Sequence, residues 1–253
     1  NKNTKNTKTL KIFSVFLFFS LIITGLITQI LKHIVGRVRP NHTSLENKMG
    51  FEFFNFNSEF HSFPSGHTST IFVVALVVAF FVPRLKYLII FLAALVSFSR
   101  VVVGAHFFTD LLGGIVVAYL GIKITKLLIE KYFPGMLSLK NIRSFNTSFI
   151  LSIFAFFLLA VLFSVGPSID IYLSGIFYFG KNHFLMQSYY FVSIIFRKIL
   201  LPVIIVYLLI LPIISMFLPI KQLYFDYKFR VKDIIFVWLT TIINILIIVN
   251  LFL

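Results

Sequence analysis

Residues 12–40 read IFSVFLFFSLIITGLITQILKHIVGRVRP, and this stretch decides the fold. Residues 12–31 carry no charge and have the length of a helix that crosses a hydrocarbon core. Lys32, His33, Arg37 and Arg39 follow at once, with Pro40 closing the cluster. An ionisable group costs about 2.5–3.5 kcal/mol at a membrane helix centre on insertion scales. Cations gathered at the end of a span are therefore expected to have a use.

The rest of the chain repeats this pattern. It is 59% hydrophobic and 12% charged, with 34 phenylalanines, whereas a soluble domain carries about 25% charged residues. Apolar runs at 12–31, 68–82, 87–103, 111–129, 149–165 and 199–218, with a seventh at 234–253, predict an all-α, polytopic transmembrane bundle of six to seven spans. The polar, aromatic stretch 41–63 reads as an exposed loop or a short interfacial segment. Residues 1–133 hold the polar clusters, 134–148 around Pro134 and Gly135 read as a linker, and 149–253 hold further apolar helices. The start at Asn1 and the end at Leu253 inside an apolar run give the expectation of a chain cut at both ends.

A formal charge of +15 raises a nucleic-acid partner, but the lysines and arginines lie between apolar runs, not on one face. No nucleic-acid-binding motif accompanies them, and that class is excluded. Fifteen of the 23 fall at one set of span ends, which predicts that set to be cytoplasmic and puts Lys32, Arg39 and Arg100 on the opposite side. Without cysteine, disulfides and thiol catalysis are excluded.

Two more clusters share that outer side. Pro64-Ser65-Gly66-His67 precedes the second run, so its amides sit at a helix N-terminus, where backbone N–H groups cradle phosphate. Ser65 alone reads equally as an ordinary N-cap. His67 is placed to protonate a departing oxygen near neutral pH. In the third cluster Ser99-Arg100 precedes His106 and Asp110. If 105–110 opens a helix, four residues of separation put His106 and Asp110 on one face. The carboxylate would then keep one ring nitrogen protonated and leave the other as a lone-pair nucleophile. Taken alone, that pair reads sooner as an interfacial aromatic and a helix-start residue, since histidine is common at polar edges. Lys32, Arg39 and Arg100 supply cations for phosphoryl oxygens, although a lone Lys32 would pass for a snorkelling side chain.

In order, Lys32 with Arg39-Pro40, then Pro64-Ser65-Gly66-His67, then Ser99-Arg100 with His106 and Asp110, resembles the type 2 phosphatidic acid phosphatase superfamily across residues 12–129. The resemblance implies a helical membrane enzyme with neither metal nor other cofactor. In it His106 becomes a phosphohistidine, Asp110 orients His106, and His67 acts as general acid. Lys32, Arg39, Arg100, Ser65 and Gly66 would hold the phosphate. Implied substrates are lipid phosphates: undecaprenyl pyrophosphate, phosphatidylglycerol phosphate, phosphatidic acid or lipid A, met at the outer face of a bacterial-type inner membrane. Family members carry further helices before the first motif, where this chain has one span. Residues 149–253, with Ser168-Ile169-Asp170, look like those early helices, either fused or swapped in order. A lipid-to-lipid phosphotransferase and a non-enzymatic transporter or scaffold are the competing readings. Arg37 is expected either to assist phosphate or to face head groups.

Overall fold

A computed structural model describes residues 2–42, 50–134, 168–179 and 184–185. Five helices organise them: α1 (Lys2–Val35), α2 (Gly66–Phe81), α3 (Lys86–Val102), α4 (Phe108–Tyr132) and α5 (Ser168–Gly175). Among the described residues the fold is helical, with isolated bridges in place of strands. The expected linker, and the spans at 149–165, 199–218 and 234–253, lie outside the described residues.

Local chemistry sets each boundary. Gly36 takes a positive φ of 58° and its amide closes on the Lys32 carbonyl at 3.0 Å, a glycine stop for α1. No side chain could stand at Gly36, since a Cβ there would lie 1.6 Å from the Glu52 carbonyl oxygen. Ser65 caps α2 by accepting from the Thr68 amide, and Pro83 ends the helix one residue after Val82.

Among the described residues three stretches are long and apolar enough to cross a membrane: Ile12–Val35, Pro83–Val102 and Phe108–Tyr132. The second expected span, 68–82, is observed as the 16-residue α2, about 24 Å long at 1.5 Å per residue and short of the roughly 30 Å hydrocarbon core. Helix α4 packs against α1 and α2, and α3 lies outside against α2. Phe16, Val73, Val77, Ala118 and Ile122 fill the centre. Thr28 and Ser69 join α1 to α2 by a hydroxyl–hydroxyl hydrogen bond of 3.2 Å, the kind of polar link that holds helices where lipid supplies no hydrophobic drive. Tyr87, Phe91 and Leu95 on α3 point outward, the face such a helix turns to acyl chains.

With this arrangement the C-terminus of α1, the N-terminus of α2 and the α3–α4 turn fall at one end of the bundle. Main-chain hydrogen bonds stitch them together. Arg37 bridges to both Phe51 and His61. The Ser62 amide donates to the Arg37 carbonyl at 2.9 Å, and the Asn41 amide to the Gly104 carbonyl at 3.0 Å.

Candidate active site

Motif three begins where α3 ends. Gly104, at a φ of 73°, reverses the chain. The Arg100 carbonyl then accepts from the amides of both Ala105 and His106, at 3.0 and 3.3 Å. His106 is thereby held in a turn ahead of α4, which starts at Phe108. The expected helix over 105–110 does not form in its first half, so the pairing of His106 and Asp110 on one helical face is corrected. Asp110 is instead the third residue of α4 and turns back to accept from the Phe107 amide at 2.8 Å.

The imidazole of His106 is 2% exposed. Its Nδ1 lies 2.8 Å from the Ser62 carbonyl and 3.8 Å from the nearer Asp110 oxygen. A carbonyl can only accept, so Nδ1 carries the proton and Nε2 keeps the lone pair. Ser62 also donates its hydroxyl to Asp110 Oδ2 at 2.6 Å. Asp110 thus meets His106 both directly, across 3.8 Å, and through Ser62, a residue not singled out in the sequence. The only hint of it was its place two residues before Pro64. Burial holds the His106 pKa down to about 4, with the Asp110 carboxylate pulling it up and the charges of Lys32 and Arg39 pushing it down. The ring is neutral at physiological pH.

Arg37 is the larger departure from expectation. It is 3% exposed, and its guanidinium donates from Nη1 to Asp110 Oδ1 at 2.5 Å and to Thr109 Oγ1 at 3.0 Å. From Nη2 it donates to Asp170 Oδ2 at 2.7 Å, and its plane lies 4.3 Å from the centroid of the Phe107 ring. Its charge is spent on two buried carboxylates, so neither phosphate nor head groups is its partner here. Asp170 lies 133 residues away in sequence, a separation no local pattern could reveal.

The predicted cations gather at the same end. Lys32 is buried at the close of α1, Arg39 follows it in the motif-one loop, and Arg100 lies in the last turn of α3. Lys32 and Arg39 are within electrostatic reach of His106, and these two with Arg100 and His106 are within reach of His67. Arg39 leaves its Nε buried with no hydrogen-bond partner among the described residues. His67 is the second residue of α2. The amides of Gly66 and His67 take no backbone partner among the described residues, as the first amides of a helix do. Ser65 has less to offer than expected: its hydroxyl caps α2, and its amide donates to the Asp110 carbonyl at 3.0 Å. Of the other histidines, His33 stacks on His61 with centroids 4.4 Å apart. His42 lies 3.7 Å from Glu59, and His183 lies outside the described residues.

Residues 13–134 match the PAP2 superfamily. A lipid A 1-phosphatase from Rhizobium johnstonii is 36% identical over 100 residues, covering 40% of this chain and 41% of that protein. A second lipid A 1-phosphatase, from Rhizobium etli, is 34% identical over 100 residues, 40% of this chain and 43% of its own. Phosphatidylglycerophosphatase B of Bacillus subtilis is 35% identical over 100 residues, 35% of this chain and 44% of its own. The chain thus spans less than half the length of these curated relatives. No solved structure matches it.

Proposed function

We propose, from a chain whose residues 13–134 belong to the PAP2 superfamily, that the protein is an integral membrane lipid phosphatase working through a phosphohistidine at His106. The observation that carries this reading is the fixed tautomer. Nδ1 is committed to the Ser62 carbonyl, so Nε2 is a lone pair among cations, the arrangement a nucleophile for phosphorus needs.

In the first step Nε2 attacks phosphorus and the bond from phosphorus to the lipid oxygen breaks. His67, whose pKa burial and the charge of Arg100 push down to about 3, gains a proton from the arriving phosphate monoanion, whose charge answers the surrounding cations, and gives it to that oxygen. Lys32, Arg39 and Arg100 neutralise the phosphoryl oxygens, assisted by the amides of Gly66 and His67; Ser65 serves by capping α2 and holding Asp110. The imidazolium formed on His106 is stabilised by Asp110 at 3.8 Å. In the second step His67 takes a proton from water, the water oxygen bonds phosphorus as the P–N bond breaks and its electron pair returns to Nε2, and inorganic phosphate leaves. The chemistry asks for no metal. Relatives named for lipid A and for phosphatidylglycerophosphate support a phosphomonoester on a membrane lipid as the substrate, and the bias of basic residues between alternate span ends supports its hydrolysis on the extracytoplasmic face of the inner membrane. Residues 149–253 supply the helices that family members carry ahead of the first motif, and α5 packed on α3 and α4 supports that assignment.

The test is phosphate release from micellar lipid A, phosphatidylglycerol phosphate, phosphatidic acid and undecaprenyl pyrophosphate, each with and without EDTA. Release from at least one, inhibited by vanadate and indifferent to EDTA, is expected. Chelator sensitivity rejects the metal-free mechanism, and silence on all four rejects the function. Reporter tags after Leu85 and after Lys48 should lie on opposite sides of the membrane; finding both inside overturns the topology.

A further inference from the structure

Asp170 lies outside residues 13–134 and touches neither the imidazole nor the cations that would meet phosphate. It is nonetheless 2% exposed and fully engaged. Oδ1 accepts from the Thr109 amide at 3.0 Å. Oδ2 accepts from Arg37 Nη2 at 2.7 Å and from the Thr109 hydroxyl. Arg37 and Asp110 already neutralise each other, so charge balance alone gives no reason for a second buried carboxylate, whose burial is costly.

Geometry gives one. A guanidinium facing a single carboxylate prefers to fork onto both of its oxygens. Here Nη1 is on Asp110 Oδ1 while Nη2 is drawn away to Asp170. Asp110 Oδ2 is left for the Ser62 hydroxyl and the Phe107 amide, and the Ser62 carbonyl in turn holds His106 Nδ1. We infer that Asp170 is a positioning residue for the reaction at His106: by occupying Arg37 Nη2 it keeps Arg37 monodentate on Asp110 and so preserves the Ser62 link that aims the imidazole. Without it, Arg37 forks onto Asp110, displaces the Ser62 hydroxyl and frees the ring to rotate. The segment carrying α5 therefore contributes to catalysis without touching substrate. This rests on the reading of His106 as the nucleophile.

The test uses the full chain in mixed micelles with phosphatidic acid and the other lipid phosphates above. Asp170→Asn should lower kcat by about tenfold with KM changed less than about threefold, the signature of a misaimed group and not of lost binding. Ser62→Ala should do the same. The double variant should be no worse than about twofold below either single, because both changes break one link. Asp170→Glu should recover kcat to within roughly threefold of wild type. Wild-type kcat in Asp170→Asn, a multiplicative double variant, or a loss confined to KM each overturns the inference. If Asp170→Asn does not elute as folded protein, Asp170→Ser decides: a fall in kcat of about tenfold at constant KM supports the inference, and a wild-type kcat rejects it. A 15N-histidine spectrum separates the two levels of inference. Should wild type release no phosphate at all, the functional reading fails, while a pure Nδ1–H tautomer at His106 in wild type and a mixture in Asp170→Asn still supports the role of Asp170. Identical spectra reject it.

Discussion

Arg37 and Arg39 stand two residues apart and belong to electrically different regions. Around Arg37 every charge is answered: Asp110, Asp170, Thr109 and the face of Phe107 enclose it. Around Arg39 the account is open, with a buried Nε unmatched among the described residues and Lys32 beside it as a like charge. The closed region holds His106, the proposed nucleophile, in place, and the open one gathers the cations proposed to meet phosphate. A basic cluster read from sequence is therefore two populations, and only the placement of carboxylates sorts them.

Removing what lies between the two regions should have the largest effect. His106→Ala is expected to cut phosphate release by about 10³-fold or more while the protein still inserts and elutes normally; a loss of less than about tenfold would reject the nucleophile. Next in size, Arg37→Ala should destabilise the protein by about 3–5 kcal/mol, because two buried carboxylates lose their cation. A denaturation midpoint equal to wild type in detergent would contradict the closed region. Arg39→Ala should spare that midpoint and lower kcat/KM by roughly 10²-fold, with Arg39→Lys recovering only part, since an ammonium cannot fork onto two oxygens. If Arg39→Ala proves the less stable of the two, the comparison is inverted.

Smallest is a pH effect. The folded protein keeps His106 neutral down to about pH 4, whereas an unfolded histidine takes up its proton at about pH 6.5. Between those values the unfolded chain binds more protons, so this contribution to stability is full above about pH 6.5 and falls as the pH drops towards 4. Melting temperatures across that window should decline less steeply in His106→Ala than in wild type, and parallel slopes would remove the buried neutral imidazole from the picture.

Sequence made the three spans seen among the described residues and the motif ends legible because their signals are local. Residues 12–31 differ from α1 mainly by its polar N-terminal extension, and Ser65 sits where an N-cap belongs. Local signals also misled. Spacing placed His106 and Asp110 on one helix, but Gly104 and the Arg100 carbonyl spend residues 103–107 on a turn. Ser65 looked available for phosphate, while folding commits its hydroxyl and amide elsewhere. Arg37 and Ser62 were invisible as positioning residues for a different reason: their roles exist only through partners 44 to 133 residues away, and nothing in the neighbouring sequence encodes such pairing.

The stitching of the motif loops through backbone amides, Arg37 to Phe51 and His61 and Asn41 to Gly104, has a practical corollary. The frame that presents the reactive groups is woven from peptide bonds common to every residue type, so exchanging a reactive side chain leaves the weave whole. Disabled versions of this protein should accordingly make good traps, gripping an uncleaved lipid long enough to be identified from what they retain.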